Sequence, residues 1–344
     1  MQENEMYARQ VLLTEIGVAG QAKLSKARVL VIGAGGLGCP VLQYLAGAGV
    51  GTIGIVDGDV VSVTNLHRQI LYGVADVGKP KALVAANRLR QLNPYITVNV
   101  HNEFLSTNNA MVLFKQYDII VDGSDNFATR YLINDAAVLT GKPVVMGAIF
   151  KFEGQLTVYN YQNGPTYRCL YAEAPEEGSV PNCSEIGVVG VLPGMVGCMQ
   201  ANEVIKMIIG YGKVLSGRLL VFDAKTYEYH CLQYKKQKET EVKELLADDA
   251  IACGVVPEIE LAAVLDHNYS LLDVRTLEEY KHFHLDAQHI PLQELERRYS
   301  ELQPAEEMVV YCQSGKRSKL AIKLLQEKFP ETTWWSLKNG LQHR

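Results

Sequence analysis

The sequence predicts an α/β protein: a doubly wound, mainly parallel sheet with helices on both faces, followed by a second, smaller α/β unit. Three observations predict it. Short apolar runs alternate with stretches of helical periodicity as far as Phe150. A glycine loop, Gly33-Ala-Gly-Gly-Leu-Gly38, joins the first of these runs to the first long helix. A charged stretch at 235–249 then precedes a second alternating pattern that begins near Pro257. Alternation at this spacing implies parallel strands linked by helical crossovers.

Residues 28–33 (RVLVIG) form an apolar run ending in glycine, as a strand buried on both faces does. A helix is expected over 39–48, and 52–57 (TIGIVD) reads as the second strand. Helical periodicity covers 79–92, alternation marks 95–100, and 117–122 (YDIIVD) is another buried strand. Residues 127–139 read as helix and 143–147 as strand; beyond Phe150 the segments become strand-rich, with one strong helix at 195–209. The Lys, Glu and Asp residues of 235–249 read as a polar tether or exposed helix. In the smaller unit, strands are expected at 270–274 and 308–311 and helices at 292–302 and 316–328. The resulting division is 1–240, a linker at 241–256, and 257–344.

At 344 residues the chain has room for both units; 48% hydrophobic and 21% charged residues are a globular balance. A net charge of −5 gives no bulk attraction to nucleic acid. Residues 1–20 lack a basic start followed by an apolar run, and the apolar stretch 188–196 is too short for a membrane span. Seven cysteines, an odd number spread over a long chain, do not form a secreted disulfide pattern. The expectation is a cytoplasmic protein with reduced thiols and no membrane partner.

Gly33, Gly35 and Gly38 satisfy GxGxxG between strand and helix, and Asp57 ends the next strand. In this Rossmann-like fingerprint, glycines admit phosphate to the backbone and the acid binds a ribose hydroxyl. Taken alone, it suits an NAD or FAD dehydrogenase as well as an ATP enzyme. The neighbouring segments point further: Tyr7-Ala-Arg9-Gln10, Thr64-Asn65-Leu66-His67-Arg68-Gln69, Gly78-Lys79-Pro80-Lys81 and Asp122-Gly-Ser-Asp125-Asn126. Hydride transfer creates no new phosphate charge and has little use for Arg9, Arg68 and Lys81. Attack of a carboxylate on an α-phosphorus expels pyrophosphate, and cations with a metal must stabilise the charge that develops. Asp125 has the hard oxygen chemistry that suits magnesium.

With YARQ, GAGGLGCP, VDGDVVSVTNLHRQ, GKPKA, DGSDN, EGQLTVY, YRCLY and GVVGVLPG in this order, residues 5–235 resemble the MoeB/ThiF adenylyltransferases, relatives of ubiquitin-activating enzymes. The resemblance implies that Gly36, Asp57, Asn65, Arg68, Lys81, Asp125 and Asn126 contact ATP and that Asp125 holds magnesium. It also implies a homodimer in which Arg9 serves as an arginine finger, often at the partner subunit's site.

Cys183, in Val180-Pro-Asn-Cys-Ser-Glu185, matches that family's reactive cysteine; a thiolate attacking the acyl-adenylate and a packed, inert thiol are both open readings. Cys312 opens Tyr311-Cys-Gln-Ser-Gly-Lys-Arg-Ser318, which runs from a strand into a helix. Backbone N–H groups and the helix dipole there surround an anion, and Lys316 and Arg317 add positive charge. The same geometry serves sulfur transfer and a cysteine phosphatase. Together with Leu272-Asp-Val-Arg275, Glu279-Tyr280 and His289-Ile-Pro-Leu292, the loop makes 257–344 resemble rhodanese, which implies a Cys312 persulfide. Many relatives of the first domain hold zinc with two CxxC pairs; here the pairs read Thr166-Tyr-Arg-Cys169 and Ala250-Ile-Ala-Cys253, so no structural zinc is expected.

The expected function is ATP-dependent adenylation of the C-terminal glycine carboxylate of a ubiquitin-like sulfur carrier (MoaD/ThiS-like, ending in Gly-Gly). Sulfur transfer from Cys312, directly or through Cys183, then gives a thiocarboxylate, with a donor such as a cysteine desulfurase upstream. Fusing the donor raises its effective concentration, to about millimolar for a short tether. Alternatives are adenylation of a peptide or a modified tRNA carboxylate, an NAD-dependent oxidoreductase, or a non-catalytic scaffold.

Overall fold

The computed structural model describes residues 3–172, 175, 187–237, 240, 242–245, 256–267, 269–338 and 340–341. The chain divides into two compact units, 1–251 and 252–344.

The first unit is built on one sheet with the strand order β3-β2-β1-β4-β5-β6-β7-β8. The strands are β1 Arg28–Ile32, β2 Thr52–Val56, β3 Thr97–His101, β4 Ile119–Asp122, β5 Val144–Phe150, β6 Glu153–Tyr159, β7 Arg218–Asp223 and β8 Tyr229–Gln233. The first five pair parallel, with Ile32 beside Val56 on one side and Asp122 on the other. Strand side chains alternate between faces. Val29, Val31, Ile53 and Ile55 therefore pack with Leu42 and Leu45 of the helix Gly38–Ala48. Leu30, Ile32 and Val56 pack on the opposite face with Phe114, Tyr117 and Ile133. Burial on both faces is why these strands read as unbroken apolar runs.

The parallel pattern stops at β5. Phe150 pairs with Glu153, and Lys151 between them takes a left-handed φ of 55°. An antiparallel return needs only a tight turn, so no crossover helix intervenes, and β6, β7 and β8 extend the sheet antiparallel. The helix expected over 195–209 begins earlier, spanning Val191–Ile209. Pro193 lies in its first turn, where a missing N–H has no intrahelical partner to lose. Of the stretch 235–249, the described residues are 235–237, 240 and 242–245. Leu245 packs against the core beneath β4 and β5, and Thr240 Oγ1 lies 3.3 Å from Cys169 Sγ.

The second unit has a five-stranded parallel sheet in the order β11-β10-β12-β13-β9. Its strands are β9 Glu258–Ile259, β10 Ser270–Asp273, β11 Gln288–His289, β12 Glu307–Tyr311 and β13 Thr333–Leu337. Met308 and Val310 pack on one face with Leu272 and Trp334, while Val309 and Tyr311 pack on the other with Leu337. The helix expected over 292–302 ends at Arg298 and continues as a 3-10 turn, Tyr299–Glu301. Among the described residues no helix is long and apolar enough to cross a membrane.

Candidate functional site: a glycine loop and a cysteine loop

The strand order reverses at β1, between β2 and β4. Ligands of such sheets bind in the crevice beyond the C-terminal strand ends at the reversal. Three chain segments emerge there: the glycine loop after β1, Asp57 after β2, and residues 123–126 after β4. The glycine loop is tightly folded. A Cβ on Gly38 would lie 1.9 Å from the Gly33 carbonyl oxygen, so only glycine fits. Helix Gly38–Ala48 begins directly behind the loop and presents its N-terminus to an anion.

Asp57 holds this loop. Its Oδ2 accepts from Ala34 N at 2.7 Å and its Oδ1 from Asp59 N at 2.8 Å. Burial raises its pKa above the usual carboxylate value, opposed by the Ala34 hydrogen bond and by Lys81. Lys81 is 5% exposed and pairs with Asp59 at 2.8 Å. Arg68 lies close to the loop, its Cγ 3.7 Å from where a Gly36 Cβ would stand. Its guanidinium is held by Thr64 O at 3.0 Å and by His67 Nε2 at 2.8 Å. A Cβ on Gly36 would also lie 3.0 Å from Pro193 Cβ, so the first turn of the helix Val191–Ile209 stands beside the loop.

Asn65 accepts from Ser62 N at 3.3 Å, closing the 3-10 turn that carries Arg68. Asn126 caps the helix Phe127–Thr140 through Thr129 N at 2.9 Å. Asp125, beside it, is exposed, and its carboxylate has no hydrogen bond among the described residues. That free, hard oxygen donor fits a magnesium ion. Arg9 is exposed in the helix Ala8–Val11. The structure therefore gathers Gly36, Asp57, Arg68 and Lys81 around one loop. Asn65 closes the turn beside it, and Asp125 and Asn126 stand after β4.

Three residues beside the loop were not among the candidates singled out from the sequence. Asp59 is the partner of Lys81. Tyr72 donates to Ala34 O at 2.7 Å and braces the glycine loop. Gln69 is 4% exposed, with Nε2 3.5 Å from a Gly35 Cβ position and Oε1 without a partner. A buried unpaired amide oxygen at a ligand crevice was detectable only as the residue after Arg68.

In the second unit the loop from Cys312 leads from β12 into the helix Lys316–Lys328, with Gly315 at φ 84° as its N-cap. Cys312 is 0% exposed, its Sγ 3.7 Å from Ser318 Oγ. Ser318 in turn donates to Gly315 O at 2.9 Å. Leu341 N donates to Cys312 O at 3.0 Å, so the C-terminal turn closes over the loop. Arg317 forms a two-pronged pair with Glu279 at 2.7 and 2.6 Å. Arg275 is buried and paired with Asp273 beneath the loop, stacked over Tyr311, and supports the sheet end. The Lys316 side chain lies outside the described residues.

Cys183, Ala250 and Cys253 also lie outside the described residues. Cys169 is buried, and its sulfur is approached by Thr166 N at 3.3 Å, Gln237 N at 3.4 Å and the Thr166 and Thr240 hydroxyls. Burial raises its pKa, but these hydrogen bonds together outweigh burial and lower it.

The ThiF family model matches residues 7–244 and the rhodanese-like domain model residues 259–343. The chain is 44% identical over 349 residues to the probable adenylyltransferase/sulfurtransferase MoeZ of Mycobacterium tuberculosis, covering 95% of this chain and 89% of that one. It is 42% identical to the adenylyltransferase and sulfurtransferase MOCS3 of Anopheles gambiae, covering 94% and 82%. The crystal structure of E. coli MccB with ATP superposes with a TM-score of 0.60 at 25% identity, covering 70% of this chain and 74% of that one.

Proposed function

The chain belongs to the ThiF family and carries a rhodanese-like domain, and on that premise we propose that it activates and then thiolates the C-terminus of a ubiquitin-like sulfur-carrier protein. It is an enzyme of adenylyltransferase and sulfurtransferase type that uses ATP. The observation that carries the reading is the buried Lys81 cation beside a glycine loop, in one chain with a cysteine loop at a helix N-terminus.

The carrier's terminal glycine carboxylate attacks the α-phosphorus, the bond to the β-phosphate oxygen breaks, and pyrophosphate departs. Glycine-loop N–H groups, Arg68 and Lys81 meet the phosphate charge, Lys81 leaving Asp59 to do so. Asp57 keeps the loop in register, and Asn65 and Asn126 line the nucleotide. Gly36 leaves room for it. Asp125 would hold magnesium, which supplies charge neutralisation on the phosphates. The terminal sulfur of a Cys312 persulfide then attacks the acyl carbon and AMP leaves. A thiol, Cys183 or an external one, cleaves the remaining S–S bond and frees the thiocarboxylate.

A homodimer completes this site with Arg9 from the partner subunit. Support comes from the large apolar side chains left exposed around Arg9 and the Arg68 segment: Leu12 81%, Val18 76%, Val63 67%, Ile70 67% and Val74 79%. Large apolar side chains exposed in the two segments that carry Arg9 and Arg68 are what a second copy would cover. The upstream donor is a cysteine desulfurase, and the setting is the cytoplasm. A Cys312→Ser variant should keep ATP–pyrophosphate exchange with a diglycine-ended carrier yet yield no thiocarboxylate by mass spectrometry. Full thiocarboxylate from that variant refutes the assignment.

A further inference from the structure

Arg317 is the second residue of the helix behind the Cys312 loop. Its Nη1 and Nη2 donate to the two carboxylate oxygens of Glu279, at 2.7 and 2.6 Å. Glu279 Oε2 also accepts from Thr276 N at 2.9 Å and from Thr276 Oγ1 at 3.0 Å. Thr276 Oγ1 lies 3.3 Å from Glu279 N, so this carboxylate is fixed at the start of its own helix, Leu277–His282. Both side chains are mostly covered, 27% and 30% exposed. The pair is anchored from each side.

Backbone N–H groups at a helix N-terminus attract any anion, and an arginine at the loop's end normally offers its fork to an oxyanion. Here the fork is committed. The carboxylate also offsets the guanidinium charge felt inside the loop. Both effects grow with ligand charge, so a dianion loses most and a persulfide, with at most one charge at its reacting end, loses least.

We propose that Glu279 is a specificity-determining residue of the cysteine loop: by holding Arg317 it disfavours doubly charged oxyanions, phosphate and thiosulfate included, and selects persulfide donors of the type R–S–SH. This rests on the sulfurtransferase reading above. The Cys312 thiolate attacks the outer sulfur, the S–S bond breaks, R–S⁻ leaves with the electron pair, and Cys312–S–SH remains. Glu279 keeps its charge throughout neutral pH, because Arg317 above all holds its carboxyl at about 2.

The test uses full-length protein with Glu279→Gln, which removes charge at constant size, and Glu279→Asp, which retains it. Thiosulfate and cysteine persulfide serve as donors to cyanide, with thiocyanate as readout; tungstate binding by calorimetry needs no sulfur chemistry. In Glu279→Gln the KM for thiosulfate should fall about five- to tenfold, with kcat changing less. The KM for cysteine persulfide should hold, tungstate should bind correspondingly tighter, and Glu279→Asp should retain the wild-type preference. An unchanged donor ratio with unchanged tungstate affinity overturns the proposal. Equal losses with both donors and a lowered Tm also overturn it, leaving Glu279 a structural brace. Should wild type make no thiocyanate from either donor while Glu279→Gln still tightens tungstate, the sulfurtransferase reading fails and the grip of Glu279 on the loop stands.

Discussion

Lys81 concentrates the chemistry of the first unit in one side chain. Its ammonium is 5% exposed and pairs with Asp59 at 2.8 Å. Replacing Lys81 by Ala removes a cation from a water-poor site where phosphate charge grows, and ATP–pyrophosphate exchange should fall about 10²–10³-fold. Asp59→Asn should retain exchange to within about tenfold, since its role is to balance the lysine when no phosphate is present. Equal losses in the two variants would make the ion pair structural rather than a phosphate site. The sequence shows Lys81 through GKPKA, but Asp59 acquires meaning only from the fold. Residues 59 and 81 are joined by the folded crossover, and no periodicity links them.

At the scale of elements, the short helix Leu277–His282 and the helix Lys316–Lys328 are tied by the Glu279–Arg317 pair. The carboxyl of Glu279 falls from its usual 4.5 to about 2 in the folded chain, chiefly through Arg317. A depressed carboxyl stabilises the fold fully above its unfolded value and loses that contribution as pH drops toward the folded one. The Tm difference between wild type and Glu279→Gln should therefore be constant above about pH 5 and shrink as pH approaches about 2. A difference independent of pH over that range refutes the pairing. The motif Glu279-Tyr280 is readable in sequence, whereas its partner 38 residues away is not.

Across the whole molecule, Arg9 tests the dimer. Neither Arg9→Ala nor Asp125→Ala alone should catalyse exchange, yet unfolding and refolding the two together should restore activity. If Arg9 acts across the interface, each mixed dimer has one complete site, giving about a quarter of wild-type activity at random pairing. No recovery, with mixed dimers verified by mass, places Arg9 at its own subunit's site or away from chemistry. Val63, Ile70 and Val74 are large apolar residues left exposed in the structure. Their place beside Arg68 is legible in the sequence, but only the fold shows that they face outward.

The sequence by itself determined the two α/β units and the position of the glycine loop. Strand burial, glycine sterics and charge each leave a local mark on residue type. It did not determine the antiparallel half of the sheet after Phe150, the anchoring of Leu245, or the partners Asp59, Tyr72 and Glu279. Those follow from contacts between segments far apart along the chain. A side chain's partner is set by where strands and helices bring it, and no local pattern encodes that distance.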